Sequence, residues 1–416
     1  MRICILTLGS RGDVQPYVAL GVGLQRAGYN VTVVTAEQFG PFVTDHGLDF
    51  APMDPRFLDI TNTKAGQSTF EGGNRRELMR LAMPALRQIL DDSWSGAQGT
   101  DAIIYHQKVL AGYHIAEKLG VPAFVAMPIP VQPTRDFTNP IAGRALPGLF
   151  NRASFSVNSL GKAPFMGMVN EWRQKTLGLP PRPRFASEER LPDGTPIPVL
   201  HAYSPAVVPP PGDWPAHVIT TGYWFLDTAE DWEPPAELAD FLEAGPPPVY
   251  VGFGSMVTTQ AEAKSRIVLE ALRLSGRRGI IASGYAGLGA VALPGTVIRI
   301  DQAPHEWLFP RTAAVVHHGG AGTTAAGLRA GRPTVVVPFF GDQVFWGRRV
   351  FELGSGPEPI PQKQLNAERL AEAISIATTD EEIARRADAL GAALRAEDGV
   401  GAAVAFVAER LGEPVR

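Results

Sequence analysis

Residues 315–343 read VVHHGGAGTTAAGLRAGRPTVVVPFFGDQ. The apolar run AAVVHH (313–318) has the length of a buried strand, and GGAG is a turn. TTAAGLRAG (323–331) is helical, and PTVVVPF (333–339) is a second buried strand. Strand, turn, helix and strand in that order form the repeat of a parallel sheet covered by helices. The turn after the first strand opens the helix, so its amides point outward and the helix dipole favours an anion there. Glycine lets the anion approach closely. Adjacent histidines on a strand face opposite ways, so only one of His317 and His318 can address that ligand.

The same alternation extends in both directions. PVYVGFGSM (248–256), RGIIAS (278–283) and TVIRID (296–301) are strands, and EAKSRIVLEALRLSG (262–276) is a helix with a glycine stop. In the first half, ICILTL (3–8), NVTVVTA (30–36), DAIIYH (101–106) and PAFVAM (122–127) are strands. VQPYVALGVGLQRAG (14–28) and LAGYHIAEKLG (110–120) are helices between them. ELMRLAMPALRQILDDSW (77–94) is helical, with Pro84 expected to kink or break it. From about 130 to 200 the pattern weakens into loops and amphipathic helices, and the prolines of YSPAVVPPPGDWPAH (203–217) mark a linker. The expected fold is α/β: two doubly wound, Rossmann-like domains facing across a cleft. Their expected spans are 1–210 and 211–395, with a helix over 396–416 returning to the first domain. Gly399 and Gly401 are expected to break the final helical segment.

Composition is that of an ordinary globular chain of two domains: 416 residues, 45% hydrophobic and 19% charged. A net charge of −4 with scattered basic residues gives no footprint for nucleic acid. One cysteine, Cys4, excludes a disulfide framework and an all-cysteine metal site. No uninterrupted apolar run reaches the ~18 residues of a spanning helix. The start MRICILTLGSRGD meets glycine and charge too early for a signal peptide, so the chain is expected to be cytoplasmic.

Ligands of open α/β sheets bind beyond the carboxyl ends of the strands, and the polar motifs fall there. His318, Gly320, Gly322 and Thr323 suit a phosphate or diphosphate. Asp342 and Gln343 follow the next strand; a carboxylate beside an amide suits sugar hydroxyls, and equally an N-cap followed by a surface side chain. Ser255 in GFGSM adds a hydroxyl, or forms an ordinary Gly/Ser turn. In RIDQAPHEWLFP (299–310), Trp307 can stack on a base while Gln302 and Ala303 pair with its edge, or Trp307 can anchor a loop in the core. Asp13 in TLGSRGDVQP (7–16) is an N-terminal helix residue that serves as a cap or as a general base, with Ser10 and Arg11 as orienting candidates.

Taken together, GSRGDVQPY, PHEWLFP, HHGGAGTT, GLRAG and PFFGDQ resemble the signature of family 1 glycosyltransferases. The match is nearest the branch of sterol 3β-glucosyltransferases and related bacterial natural-product enzymes. That resemblance covers most of both halves and is weakest across 130–200. It implies a GT-B fold and an inverting, metal-independent transfer from a nucleotide-activated sugar, with no cofactor. By position, it implies that His318 and the following backbone hold the diphosphate with Ser255 and Thr323. Asp342 and Gln343 would hold the sugar, the 302–307 loop the base, and Asp13 would be the catalytic base. The plant small-molecule enzymes carry tryptophan where Gln302 stands, glutamate where Ala326 stands and histidine in the first loop; this chain departs from them at all three.

Methionine and aromatic residues over 127–172, among them Met127, Phe137, Phe165, Met168 and Trp172, suit an adaptable pocket for a large apolar acceptor, or ordinary packing. The expected reaction is glucose transfer from UDP-glucose to a hydroxyl of a sterol-like molecule, with peripheral membrane contact through such an acceptor. One alternative is a natural-product enzyme using a dTDP-deoxysugar. A non-catalytic nucleotide-sugar-binding subunit is a second, against which Asp13 argues. A dehydrogenase is disfavoured by the lack of GxGxxG after the first strand.

Overall fold

The computed structural model describes residues 1–62, 75–143, 146–226, 232–254, 261–283 and 292–412. The chain forms two compact units. The first comprises Met1–Pro205, Pro209–Leu226 and Asp398–Arg416; the second comprises Ala206–Val208 and Asp227–Glu397.

The first unit holds a seven-stranded parallel sheet of order β3-β2-β1-β4-β5-β6-β7. Its strands are β1 (Arg2–Leu6), β2 (Asn30–Ala36), β3 (Asp49–Met53), β4 (Ala102–Tyr105), β5 (Ala123–Met127), β6 (Val199–His201) and β7 (Val218–Thr220). Both faces are covered, which is why β1, β4 and β5 read as unbroken apolar runs. On one face Ile3, Ile5 and Val33 pack with Val14 and Val18 of the Arg11–Arg26 helix and with Val404 and Val407 of the Gly399–Leu411 helix. The two helices touch so closely that a Cβ on Gly23 would lie 2.4 Å from Val400. The other face takes the Arg75–Gly96 helix, where Gly96 leaves no room for a side chain beside Val34. Pro84 lies inside that helix, so it does not end it.

The second unit holds a five-stranded parallel sheet of order β10-β9-β8-β11-β12. Its strands are β8 (Val249–Gly252), β9 (Gly279–Ala282), β10 (Val297–Ile300), β11 (Ala314–His317) and β12 (Thr334–Val336). Alternation along β8 and β11 divides the core. Val249, Val251 and Val316 pack with Leu370 and Ile374 of the Ala367–Thr379 helix, whereas Tyr250 and Val315 pack with Leu308 and Phe309.

Two expectations change. The first unit does not stop at residue 210: Val199 pairs with Val218 and His201 with Thr220, so β7 lies beyond the proline-rich stretch and the unit runs to Leu226. The terminal helical segment breaks after Arg395, ahead of both glycines, because the Asp398 carboxylate accepts from the Gly401 amide at 2.8 Å and starts a new helix.

Candidate active site

In each sheet the chain order reverses once, between β1 and β4 in the first unit and between β8 and β11 in the second. Loops leaving two such strands diverge and open a crevice at the carboxyl edge. Both groups of candidate residues lie at these two points.

In the first unit, β1 leads through Gly9 into the Arg11–Arg26 helix. Gly9 has φ of +143°, and a Cβ on it would lie 2.1 Å from the Asp13 carboxylate, so glycine there is required by both conformation and space. The Ser10 amide donates to Asp13 Oδ2 at 2.9 Å, and Ser10 Oγ lies 3.2 Å from the same oxygen. Ser10 therefore orients Asp13. Arg11 does not: its Nε donates to Gln15 at 3.0 Å and its guanidinium lies over Phe42 at 4.4 Å.

The loop after β4 supplies two partners that the sequence reading missed. Lys108 Nζ forms an ion pair with Asp13 Oδ1, and His106 Nε2 lies 3.9 Å from that oxygen. His106 Nδ1 accepts the Lys108 amide at 2.9 Å, so the neutral ring carries its proton on Nε2, toward Asp13. Burial, followed by the neighbouring Lys108 charge, pushes the His106 imidazole down to about 3, against a smaller opposing pull from Asp13. Burial also raises the Asp13 carboxyl, but Lys108, His106 and the Ser10 amide outweigh it and hold the group below the usual carboxylate range. The signal for both partners was topological. YHQK (105–108) leaves the strand that flanks β1 at the reversal point, a neighbour relation that only the strand order reveals.

In the second unit, β11 ends at His317, and the Ala321–Arg329 helix begins after Gly320. Gly320 is the N-cap and brings no capping side chain. Thr324 turns its hydroxyl back to the Gly320 carbonyl at 2.9 Å, while Thr323 is half-exposed in the first turn. The first-turn amides have no intrahelical acceptor. His318 sits between Gly254 and Gly320. A Cβ on Gly254 would lie 2.9 Å from its ring, and one on Gly320 would lie 2.5 Å from its Nε2. Nε2 is thereby directed at the helix N-terminus, and Nδ1 is buried without a hydrogen-bond partner among the described residues. Burial, then the His305 charge, pushes His318 down to about 4, so the ring is neutral near pH 7. His317 faces the other way, fully buried, its Nδ1 accepting from the Gly319 amide at 2.8 Å.

Gln343 lies against this turn. A Cβ on Gly319 would lie 2.9 Å from the Gln343 carbonyl. The Gln343 side-chain oxygen accepts from the Phe339 and Phe340 amides at 2.8 and 3.3 Å, which commits that end of the amide to the backbone. Asp342 Oδ2 accepts from Trp346 Nε1 at 3.1 Å. Both residues are held rigidly at the start of the Gln343–Glu352 helix. Ser255 lies outside the described residues. Gln302 is exposed and Ala303 half-buried, after β10 on the same edge. The Trp307 ring packs on Trp232 at 5.0 Å and under the Arg311 guanidinium at 4.4 Å, an anchoring environment.

The acceptor candidates separate. Met127 is buried at the end of β5, its sulfur 3.5 Å from the Gln107 amide in the loop that carries His106 and Lys108. Phe137, Phe165 and Met168 are half-buried, Phe137 against Phe155 and Trp214. Trp172 is withdrawn from the acceptor set: it is fully buried, and its Nε1 donates to Asp91 at 3.0 Å between helices. Among the described residues no group of three or more His, Cys, Asp or Glu side chains is placed to hold a metal ion.

The crevice of the first unit thus presents a carboxylate, and that of the second an uncapped helix N-terminus with an imidazole. Residues 3–138 match the glycosyltransferase family 28 N-terminal domain, and residues 280–407 match the erythromycin biosynthesis protein CIII-like C-terminal domain. The chain belongs to the family 1 glycosyltransferases of the GT-B fold. Within them it is similar to sterol 3-beta-glucosyltransferase UGT80A2 of Arabidopsis thaliana, at 39% identity over 97% of this chain and 64% of that protein. It is also 39% identical to the sterol 3-beta-glucosyltransferase of Neosartorya fischeri, over 97% of this chain and 29% of that protein. The chain thus spans less than two thirds of either relative. Among solved structures, the kitacinnamycin glycotransferase matches with a TM-score of 0.74 at 19% identity, covering 99% of both chains. The calicheamicin glycosyltransferase CalG4 matches at 0.71 and 19% identity, covering 100% of this chain and 99% of that one. These structures show the shared fold. No helix among the described residues is long and apolar enough to cross a membrane.

Proposed function

We propose that this chain transfers glucose from UDP-glucose to a hydroxyl of a lipophilic, sterol-like acceptor, with inversion and without a metal. The observation that carries the donor half is His318 Nε2 aimed at the uncapped N-terminus of the Ala321–Arg329 helix. There the amides, the helix dipole and a neutral imidazole stabilise the charge that grows on a departing diphosphate. Gln343, packed on the same turn, and Asp342 beside it in the chain hold the sugar. In the first unit, Asp13 is ionised at neutral pH and takes the acceptor's proton as the hydroxyl attacks the anomeric carbon. A weak base suffices when that proton leaves late, after the bond to the leaving group has loosened. An acceptor hydroxyl has to displace Lys108 to reach Oδ1. The sterol reading is supported by the relatives at 39% identity.

The test is UDP release from UDP-glucose with sterols and polyketide aglycones, products identified by mass spectrometry. Glucosylated sterol is the expected outcome; product only with dTDP-deoxysugars and aglycones would replace this reading. Asp13→Asn is expected to slow transfer about a hundredfold or more while UDP affinity stays within about twofold. Surviving turnover would remove Asp13 as the base.

A further inference from the structure

We propose that Lys108 sets the choice between acceptor and water: its ion pair occupies Asp13 until an acceptor displaces it, and hydrolysis of the nucleotide sugar is thereby held down. This role rests on Asp13 being the base of the transfer proposed above.

A carboxylate offers about four acceptor positions, two on each oxygen. On Asp13 the turn itself fills Oδ2: the Ser10 amide donates to it at 2.9 Å and the Ser10 hydroxyl at 3.2 Å. Oδ1 is the oxygen left for an incoming hydroxyl. His106 Nε2 stands 3.9 Å from it, beyond hydrogen-bond reach. Among the described residues, the group that donates to Oδ1 is the Lys108 ammonium.

The ammonium acts there in two ways. It has three donors and no acceptor, so it fills a position without being able to carry a proton from water to the carboxylate. Its charge also favours the ionised carboxylate and so weakens it as a base. The Asp13 side chain is only 17% exposed, which leaves little of it to solvent. Lys108 is nonetheless free to yield. Its amide is fixed to His106 Nδ1 at 2.9 Å, whereas its side chain is 54% exposed. The charged tip can swing into water while the loop stays in place. An acceptor that buries apolar surface gains free energy that offsets the lost ion pair, and a water molecule has no such surface.

Water in place of the acceptor gives a balanced side reaction. Its oxygen bonds to the anomeric carbon, and one of its protons passes to Asp13 and on to solvent. The bond from that carbon to the diphosphate oxygen breaks, with its electron pair leaving on UDP. Glucose and UDP result.

The experiment compares the wild type, Lys108→Met and Lys108→Arg with UDP-glucose as donor and cholesterol as acceptor. The pH is set above the acid limb of each, so that Asp13 is ionised throughout. UDP released without acceptor is divided by glucoside formed with it, because a stronger base alone would speed both reactions. Lys108→Met is expected to raise this ratio about fivefold and to lower the acceptor KM. Lys108→Arg, which keeps an ion pair, is expected to hold the ratio near that of the wild type. Adding Asp13→Asn to Lys108→Met is expected to remove the gain. An unchanged ratio in Lys108→Met, or a gain that survives Asp13→Asn, overturns the proposal. If Asp13→Asn alone still slows transfer, the base reading stands without it. Wild-type turnover by Asp13→Asn would sink the base reading and the role of Lys108 together.

Discussion

Asp13 is held on three sides, and the three holds differ in kind. Ser10 fixes one oxygen through a backbone amide, which no titration can remove. His106 presents a proton from a ring that stays neutral, whereas Lys108 contributes a full charge on a side chain 54% exposed. Only the last can be withdrawn by motion of one side chain. Lys108→Met therefore removes a charge that lowers the Asp13 carboxyl and leaves the burial that raises it. With the carboxyl pKa raised, the ionised base is lost at higher pH. The acid limb of kcat/KM for transfer is expected to move upward in pH, with donor affinity unaltered. A profile that superimposes on the wild type would show that the Lys108 charge does not act on Asp13 in the free enzyme.

At the scale of elements, the uncapped helix carries the donor reading, and two of its glycines separate the reasons for glycine. A Cβ on Gly320 would strike His318, whereas one on Gly322 meets nothing within 4 Å. Gly322→Ala is thus expected to stabilise the second unit by about 0.5–1 kcal/mol, since alanine loses less backbone freedom in a helix. If a diphosphate seats against that turn, the same variant weakens UDP binding about fivefold or more. Calorimetry with the thermal midpoint reads both, and a midpoint gain without affinity loss would move the phosphate elsewhere. These turns were legible in the sequence because a long apolar run, glycines and a helical period coincide there. β3, β6 and β7 were not. Pro52 interrupts β3, an edge strand that tolerates it, and β6 and β7 are three residues each among prolines, too short to show a period. His106 and Lys108 escaped for a related reason. Their meaning comes from lying beside β1, and adjacency in a sheet is not written in local spacing. Trp172 misled because an aromatic in a weakly patterned segment looks alike whether it lines a pocket or fills a core.

Across the whole molecule, five of the eight histidines are buried in neutral form: His106, His114 and His201 in the first unit, His317 and His318 in the second. In the unfolded chain each takes a proton near 6.5, whereas in the folded protein His106 and His201 hold out to about 3 and His318 to about 4. Between those values the unfolded state binds more protons, so stability falls as pH falls. Each group contributes up to ~1.4 kcal/mol per pH unit at the steepest, so the three in the first unit approach about 4 kcal/mol per unit and the two in the second about 3. Domains of this size have margins of roughly 5–15 kcal/mol. Unfolding is expected on acidification to roughly pH 5, with the first unit the more sensitive. Circular dichroism against pH checks it, and a flat signal down to pH 4 would mean that these rings are not buried neutral.

The Gly399–Leu411 helix has a consequence for how the protein is made. The apolar groove beside the Arg11–Arg26 helix is closed by Val404, Phe406 and Val407. On a ribosome, Val14 and Val18 emerge hundreds of codons before those partners do. The last segment of the second unit ends at Glu397, before the Gly399–Leu411 helix is translated. The half of the molecule that is translated first is thus the half that finishes last, and through most of its synthesis the nascent chain presents an open apolar seam for which a chaperone is the natural temporary cover.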